Sequence, residues 1–196
     1  MKNKSVVATI AMSLTALLPL AGCVGTARED GHGMPGMSTS GSELPADVNT
    51  ADIMFTTMMI PHHEQAIEMA DLILDEDGID PEVVALAETI KAAQGPEIEL
   101  MESWLDDWGT AMGDMPGTMG DGMMSDTDMQ ALEDVTGDEA SRLFLEQMIE
   151  HHEGAIDMAQ AEVDNGENPD VVNLAESIIE SQTAEIDTME EILASL

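Results

Sequence analysis

A chain of 196 residues with 43% hydrophobic content is long enough for one domain with a real core, and its 41 Asp and Glu against 5 Lys and Arg give a formal net charge of −36. A surface of that sign excludes nucleic acid as a partner, because phosphate would be repelled rather than neutralised. It suits either a medium of high ionic strength, where self-repulsion is screened, or a role in collecting cations.

The first residues carry Lys2 and Lys4, an apolar run from Val6 to Leu20, and the box Leu20-Ala21-Gly22-Cys23. The run is about 15 residues with Pro19 near its end, short of the roughly 20 that span a bilayer, so it reads as a secretion signal over residues 1–22 rather than a transmembrane anchor. Cys23 is the only cysteine, which excludes an intrachain disulfide and fits lipidation of the first mature residue. The expected product is an exported, membrane-anchored lipoprotein, periplasmic or at the cell surface. Residues 23–47, rich in Gly, Ser, Thr and Pro and carrying His32, Met34 and Met37, read as a flexible tether.

From residue 48 the chain repeats. Phe55, Met59, Ile60, His62, His63, Glu64, Ala66, Ile67, Met69 and Ala70 recur 89 positions later as Phe144, Met148, Ile149, His151, His152, Glu153, Ala155, Ile156, Met158 and Ala159. After a one-residue deletion, DPEVVALAETIKAAQGPEIELMESWL from Asp80 matches NPDVVNLAESIIESQTAEIDTMEEIL from Asn168. The duplicated domain thus divides into 48–109, a Met-rich loop over 110–136, and 137–196.

Each copy reads as a helical hairpin, predicting helices at 48–76, 80–108, 138–165 and 169–194. Pro61 lies inside the first and should kink it, while Gly78 and Gly166 should end the first helix of each hairpin. Asp80 and Asn168 read as N-caps with Pro81 and Pro169 at the first helical position, and Thr136 with Glu139 reads as a capping box. The fold class is therefore all-α, a duplicated hairpin forming a four-helix bundle.

Stepping by threes and fours along the first helix gives Phe55, Met59, His62, Ala66, Met69 and Ile73, and along the third Phe144, Met148, His151, Ala155 and Met158, so His62 and His151 face the core. His63 and His152 fall on the flank. The second helices place Gln94, Glu97 and Met101, or Gln182, Glu185 and Met189, where aliphatic residues would be expected. His62 lies about 17 residues before its turn, roughly 25 Å at 1.5 Å per residue, which on the returning helix reaches Gln94 and Glu97. Polar groups buried at one level need partners, each costing about 1 to 3 kcal/mol without one. A closed His, Glu and Gln hydrogen-bond network would satisfy them, and so would a metal ion.

Two His pairs framed by Met at the same spacing favour the metal. At the four paired histidines neither the Glu-x-x-His of di-iron bundles nor the His-Glu-x-x-His of hydrolytic zinc helices occurs, since Met59, Ile60, Met148 and Ile149 stand three residues before them. Imidazole and thioether suit copper, as Cu(I), Cu(II) or both, with silver as a mimic. The loop AMGDMPGTMGDGMMSDTDM adds Met112, Met115, Met119, Met123 and Met124 among Gly, Asp and Pro, with no apolar period to bury them. It reads as a copper-collecting segment, the alternative being a linker whose Met is incidental.

The paired M-x-x-H-H-x-x-A-x-x-M helices, each followed by an E-I-x-x-M helix, resemble the CopM-like, ferritin-like copper-binding members of the domain-of-unknown-function family 305 (DUF305) over about residues 48 to 196. That resemblance implies copper ligands at Met59, His62, His63, Met69, Met148, His151, His152 and Met158, while Gln94, Glu97, Met101, Gln182, Glu185 and Met189 are placed by the helix spacing as further ligands or as groups supporting them. The function expected is non-catalytic copper tolerance or delivery, with the copper ion, the membrane and a metal-transfer protein as partners. The competing expectations are a cuprous oxidase, for which Trp104 and Trp108 are the only indole relays, and a metal-free assembly bundle.

Overall fold

A computed structural model describes residues 44–110 and 122–196. Cys23, His32, Met34, Met37, Met112, Met115 and Met119 lie outside the described residues, and so do the leader and nearly all of the tether. The helices are α1 (Thr50–Asp75), α2 (Pro81–Trp108), α3 (Asp126–Glu133), α4 (Gly137–Asn165) and α5 (Pro169–Ser195). None among the described residues is long and apolar enough to cross a membrane.

Local chemistry sets most of these ends. Asn49 caps α1 in a box with Asp52, Asp80 and Asn168 cap α2 and α5 ahead of their prolines, and Gly109 closes α2 in the left-handed region at φ 68°. Two expectations need correction. Thr136 makes no side-chain cap at α4. The supposed loop contains α3, begun by a box between Ser125 and Asp128. Pro61 and also Pro96 sit inside helices that nevertheless run on past them.

The core consists of two apolar clusters. One joins the N-terminal half of α1 (Phe55, Met59, Ile60) to the C-terminal halves of α2 (Met101, Leu105, Trp108) and α4 (Ala155, Ala159), and to the start of α5 (Val171, Ala175, Ile178). The other joins the C-terminal half of α1 (Ala66, Met69, Ile73) to the start of α2 (Val83, Ile90), the N-terminal half of α4 (Phe144, Leu145, Met148) and the end of α5 (Met189, Ile192). Helices α1 and α4 are therefore antiparallel neighbours, and exchanging the hairpins exchanges the clusters. This is a pseudo-two-fold four-helix bundle with α3 as an addition.

The symmetry extends to the turns, each held by the other repeat. Ser141 Oγ accepts from Asp80 N at 3.1 Å, while its counterpart Asp52 accepts through Oδ1 from Glu167 N at 3.2 Å and Asn168 N at 2.9 Å. A hydroxyl is neutral but a buried carboxylate is not, and Asp52 is fully buried. Beside it stands Glu162, where the other repeat has Ile73. Burial first, and then the Asp52 carboxylate, push the Glu162 pKa up to about 8, so at neutral pH Glu162 carries a proton.

That pair also explains the paired glycines. Gly78 has φ 84°, as a left-handed turn requires, but Gly166 does not, being extended at φ −67°. A Cβ on Gly166 would overlap the Glu162 carboxyl. One glycine is there for its backbone and the other for space.

A carboxyl whose folded pKa is raised contributes stability that is fully present below its unfolded value of 4.5 and lost as pH rises through about 8. The protein should therefore lose stability between those values. Glu162→Gln, which keeps a donor toward Asp52, should flatten the decline by on the order of a few kcal/mol in urea unfolding at pH 9. An unchanged pH profile would mean that Glu162 ionises freely in the folded protein.

Candidate metal centre

Between the two apolar clusters lies a polar layer. His62 and His151 are each 1% exposed, His63 and His152 fully buried, and Gln94 and Gln182 2% and 3% exposed. The antiparallel crossing of α1 and α4 brings the His62 and His151 rings to 3.7 Å between centroids at an interplanar angle of 40°, at the centre of the pseudo-two-fold. His151 and His152 stand 6.4 Å apart.

The flank on which His63 and His152 fall is covered. Each turns toward the second helix of its own hairpin, His63 Nε2 donating to Glu97 Oε2 at 2.9 Å and His152 Nε2 to Glu185 Oε2 at 2.8 Å. A flank position on one helix is an interior position once its partner helix covers it. The carboxylates keep one edge in contact with water, at 21% and 16% side-chain exposure. With Nε2 donating, each Nδ1 presents its lone pair inward.

Those lone pairs find no partner among the described residues. His63 Nδ1, His152 Nδ1, both ring nitrogens of His151, both amide atoms of Gln94 and Oε1 of Gln182 are buried without a hydrogen-bond partner among the described residues. Protons are a poor remedy. Burial first, and then the neighbouring His62, His152 and His63 rings, hold His151 well below the usual imidazole range. Acid accordingly works against the fold at this position, because below about pH 6.5 the unfolded chain takes up a proton that the folded His151 refuses.

Met59 and Met148 stand one turn before their His pairs, Met101 and Met189 one turn beyond Glu97 and Glu185, and all four are fully buried at the borders of the layer. The remaining sulfurs divide. Met69 lies two turns from His62, about 10 Å along the axis, inside an apolar cluster. Met158 is half-buried and lines a surface cavity with Met54 and Met58 instead of joining the layer.

Met123 is half-buried, and Met124, expected to be an exposed loop sulfur, is a core side chain at 5% exposure, with Met129 packed against the same cluster. The reason is local: Gln65 grips both backbone groups of Met124, at 2.8 and 2.9 Å, and turns the side chain inward. No three His, Cys, Asp or Glu side chains among the described residues converge as a metal-holding group. A complete ligand set from this layer therefore includes thioether or amide groups, or a small shift of the rings.

The family described as a domain of unknown function, DUF305, matches residues 52–193. A protein of that family from Streptomyces coelicolor, described as secreted, is 34% identical, with 74% of this chain and 93% of that one covered and a TM-score of 0.70. A DUF305 fragment from Deinococcus radiodurans is 32% identical over 76% of this chain and 99% of its own, also with a TM-score of 0.70. CopM in its Cu(I)-bound form is 33% identical over 74% and 96%, with a TM-score of 0.64, and CopM has also been solved with Cu(II), with silver and in the apo form. No curated protein matches the chain.

The layer should cost stability in the metal-free protein. Gln94→Met, similar in volume and without unpaired polar atoms, should raise urea-unfolding stability by about 1 to 3 kcal/mol when metal is removed by chelator. A loss of stability would show that the Gln94 amide has partners in solution.

Proposed function

The chain belongs to the DUF305 family, and from that premise we propose that it is an exported, non-catalytic protein that holds copper as its cargo for tolerance or transfer. The observation that carries this reading is one buried layer that holds four imidazoles, with nitrogens of three of them unpaired among the described residues. The existence of CopM in Cu(I), Cu(II) and silver forms supports the choice of ion.

The physical case is a comparison of cations. A proton binds one nitrogen and leaves a full charge on one buried ring, which the layer disfavours. Copper is bound by several donors at once, so its charge is spread over imidazole and thioether groups, and the Glu97 and Glu185 carboxylates offset it through His63 and His152. The ligands proposed are His62, His63, His151 and His152, with Met59 and Met148 at the borders and Met101 and Met189 behind them. Soft thioethers favour Cu(I), while imidazole accommodates either oxidation state.

Export fits the leader, and a lipid on Cys23 is proposed to hold the domain at a membrane through residues 24–47. The sulfurs of Met112, Met115, Met119 and Met123 are proposed as accessory collecting ligands, with a metal-transfer protein as recipient.

His62→Ala combined with His151→Ala should abolish the tightest copper binding in a chelator-competition assay while circular dichroism stays largely helical. Glu97→Gln with Glu185→Gln should weaken it by about 10 to 100-fold, because the rings lose their orienting acceptors. Undiminished affinity in the histidine variant would place the copper elsewhere.

A further inference from the structure

The groove between α1 and α4 has two ends related by the pseudo-two-fold, and they are finished differently. Over one end runs the segment that leads into α3. Gly122, at φ 86°, lies so close to α4 that a Cβ would come within 2.8 Å of Gly154 Cα. Gln147 Nε2 donates to Asp128 O at 3.0 Å, and Met124 and Leu132 fill the space beside Met69, Ile73 and Leu143. This end is closed by the chain itself.

At the other end a cavity of about 390 Å³ opens at the surface. Met54 and Met58 line it from α1, Met158 and Glu162 from α4, each pair one helical turn apart, with Phe55 beside them. The positions equivalent to Met54, Met58 and Glu162 at the closed end are Leu143, Gln147 and Ile73, and only Met69 matches, as Met158. Hydrocarbon and amide stand where the groove is covered, and thioether and carboxyl where it is open.

Packing does not account for that set. Met54 is 45% exposed, so burial does not hold its side chain there, and Glu162, 1% exposed, is a carboxyl in a wall that aliphatic packing would otherwise fill. Three soft donors therefore line one small opening, with the protonated Glu162 in its wall.

We propose that this cavity is a second metal site, taking a soft monovalent cation, Cu(I) or Ag(I), on the thioethers of Met54, Met58 and Met158. It lies outside the histidine layer but close to it. Met58 is one turn before His62 and Met158 two turns beyond His151, so the cation is about 6 to 10 Å along the axis from the central rings. The site thereby gives copper a stopping point between solvent and the layer. The proposal rests on the copper-binding reading only for the identity of the natural cargo, since silver tests the site directly.

The experiment is a silver nitrate titration of the full chain, with its methionine methyls labelled with carbon-13, in chloride-free buffer followed by NMR. In the parent protein and in the His62→Ala, His151→Ala variant alike, the Met54, Met58 and Met158 methyl signals should move together over the binding of one equivalent of silver, which in the parent is taken up in addition to that held by the layer. Met54→Leu with Met58→Leu and Met158→Leu should bind one equivalent fewer than the parent while Met59 and Met148 still respond. Met158→Leu alone serves as the milder variant and should weaken the response of Met54 and Met58. If the three methyls stay in place, move independently, or respond only when the histidine pair is present, the second site does not exist. A failure of the histidine layer would instead appear as unchanged copper affinity in the histidine variant, with these methyls still responding.

Discussion

Burying four imidazoles and two amides in the middle of a helical bundle is the constraint on which the rest of this structure depends. Such groups cost free energy unless each finds a partner, and the fold answers only part of the demand. Glu97 and Glu185 take one nitrogen each from His63 and His152. What remains is a set of lone pairs held in a rigid frame by apolar clusters on both sides. The metal-free protein is thereby less stable than an all-aliphatic bundle would be, and under the proposed function a cation able to bind several donors at once would recover that loss.

Duplication is what assembles the layer. One repeat brings a single His-His pair and a Gln and Glu on its returning helix, and the antiparallel pairing of α1 with α4 sets the two pairs face to face across the pseudo-two-fold. The departures from symmetry are as informative as the symmetry. Asp52 in place of Ser141 holds the opposite turn more firmly, by two amides rather than one, and obliges Glu162 to keep its proton beside it. Along the α1 and α4 groove, α3 covers one end and leaves the other to Met54, Met58 and Met158.

Much of this was legible in the residues. Helical period and Asn, Asp and Pro signals located the four long helices to within two residues, and counting along them put Gln94 and Glu97 at the height of the His pair, where Glu97 meets His63. The failures have physical causes. Ser125 and Asp128 form a box with Asp instead of Glu or Gln, inside a stretch whose Met and Gly content reads as loop, so α3 was hidden, and with it the burial of Met124. His63 and His152 do fall on a flank, but the period of one helix says nothing about what covers its side, so their pairing with Glu97 and Glu185 was not read. Glu162 and the Met54 cavity escaped because matching the repeats draws attention to identities, whereas these residues stand where the repeats differ. Comparing Ile73 with Glu162 and Leu143 with Met54 would have raised the question from sequence alone.

The central claim is that copper in this protein is bound chiefly by the buried imidazoles. X-ray absorption of the Cu(I)-loaded chain at one equivalent tests it directly, because imidazole rings produce outer-shell multiple scattering that thioethers lack. The account predicts a mixed nitrogen and sulfur first shell with clear imidazole scattering. An all-sulfur shell without it would contradict the account and move the primary site to the methionines.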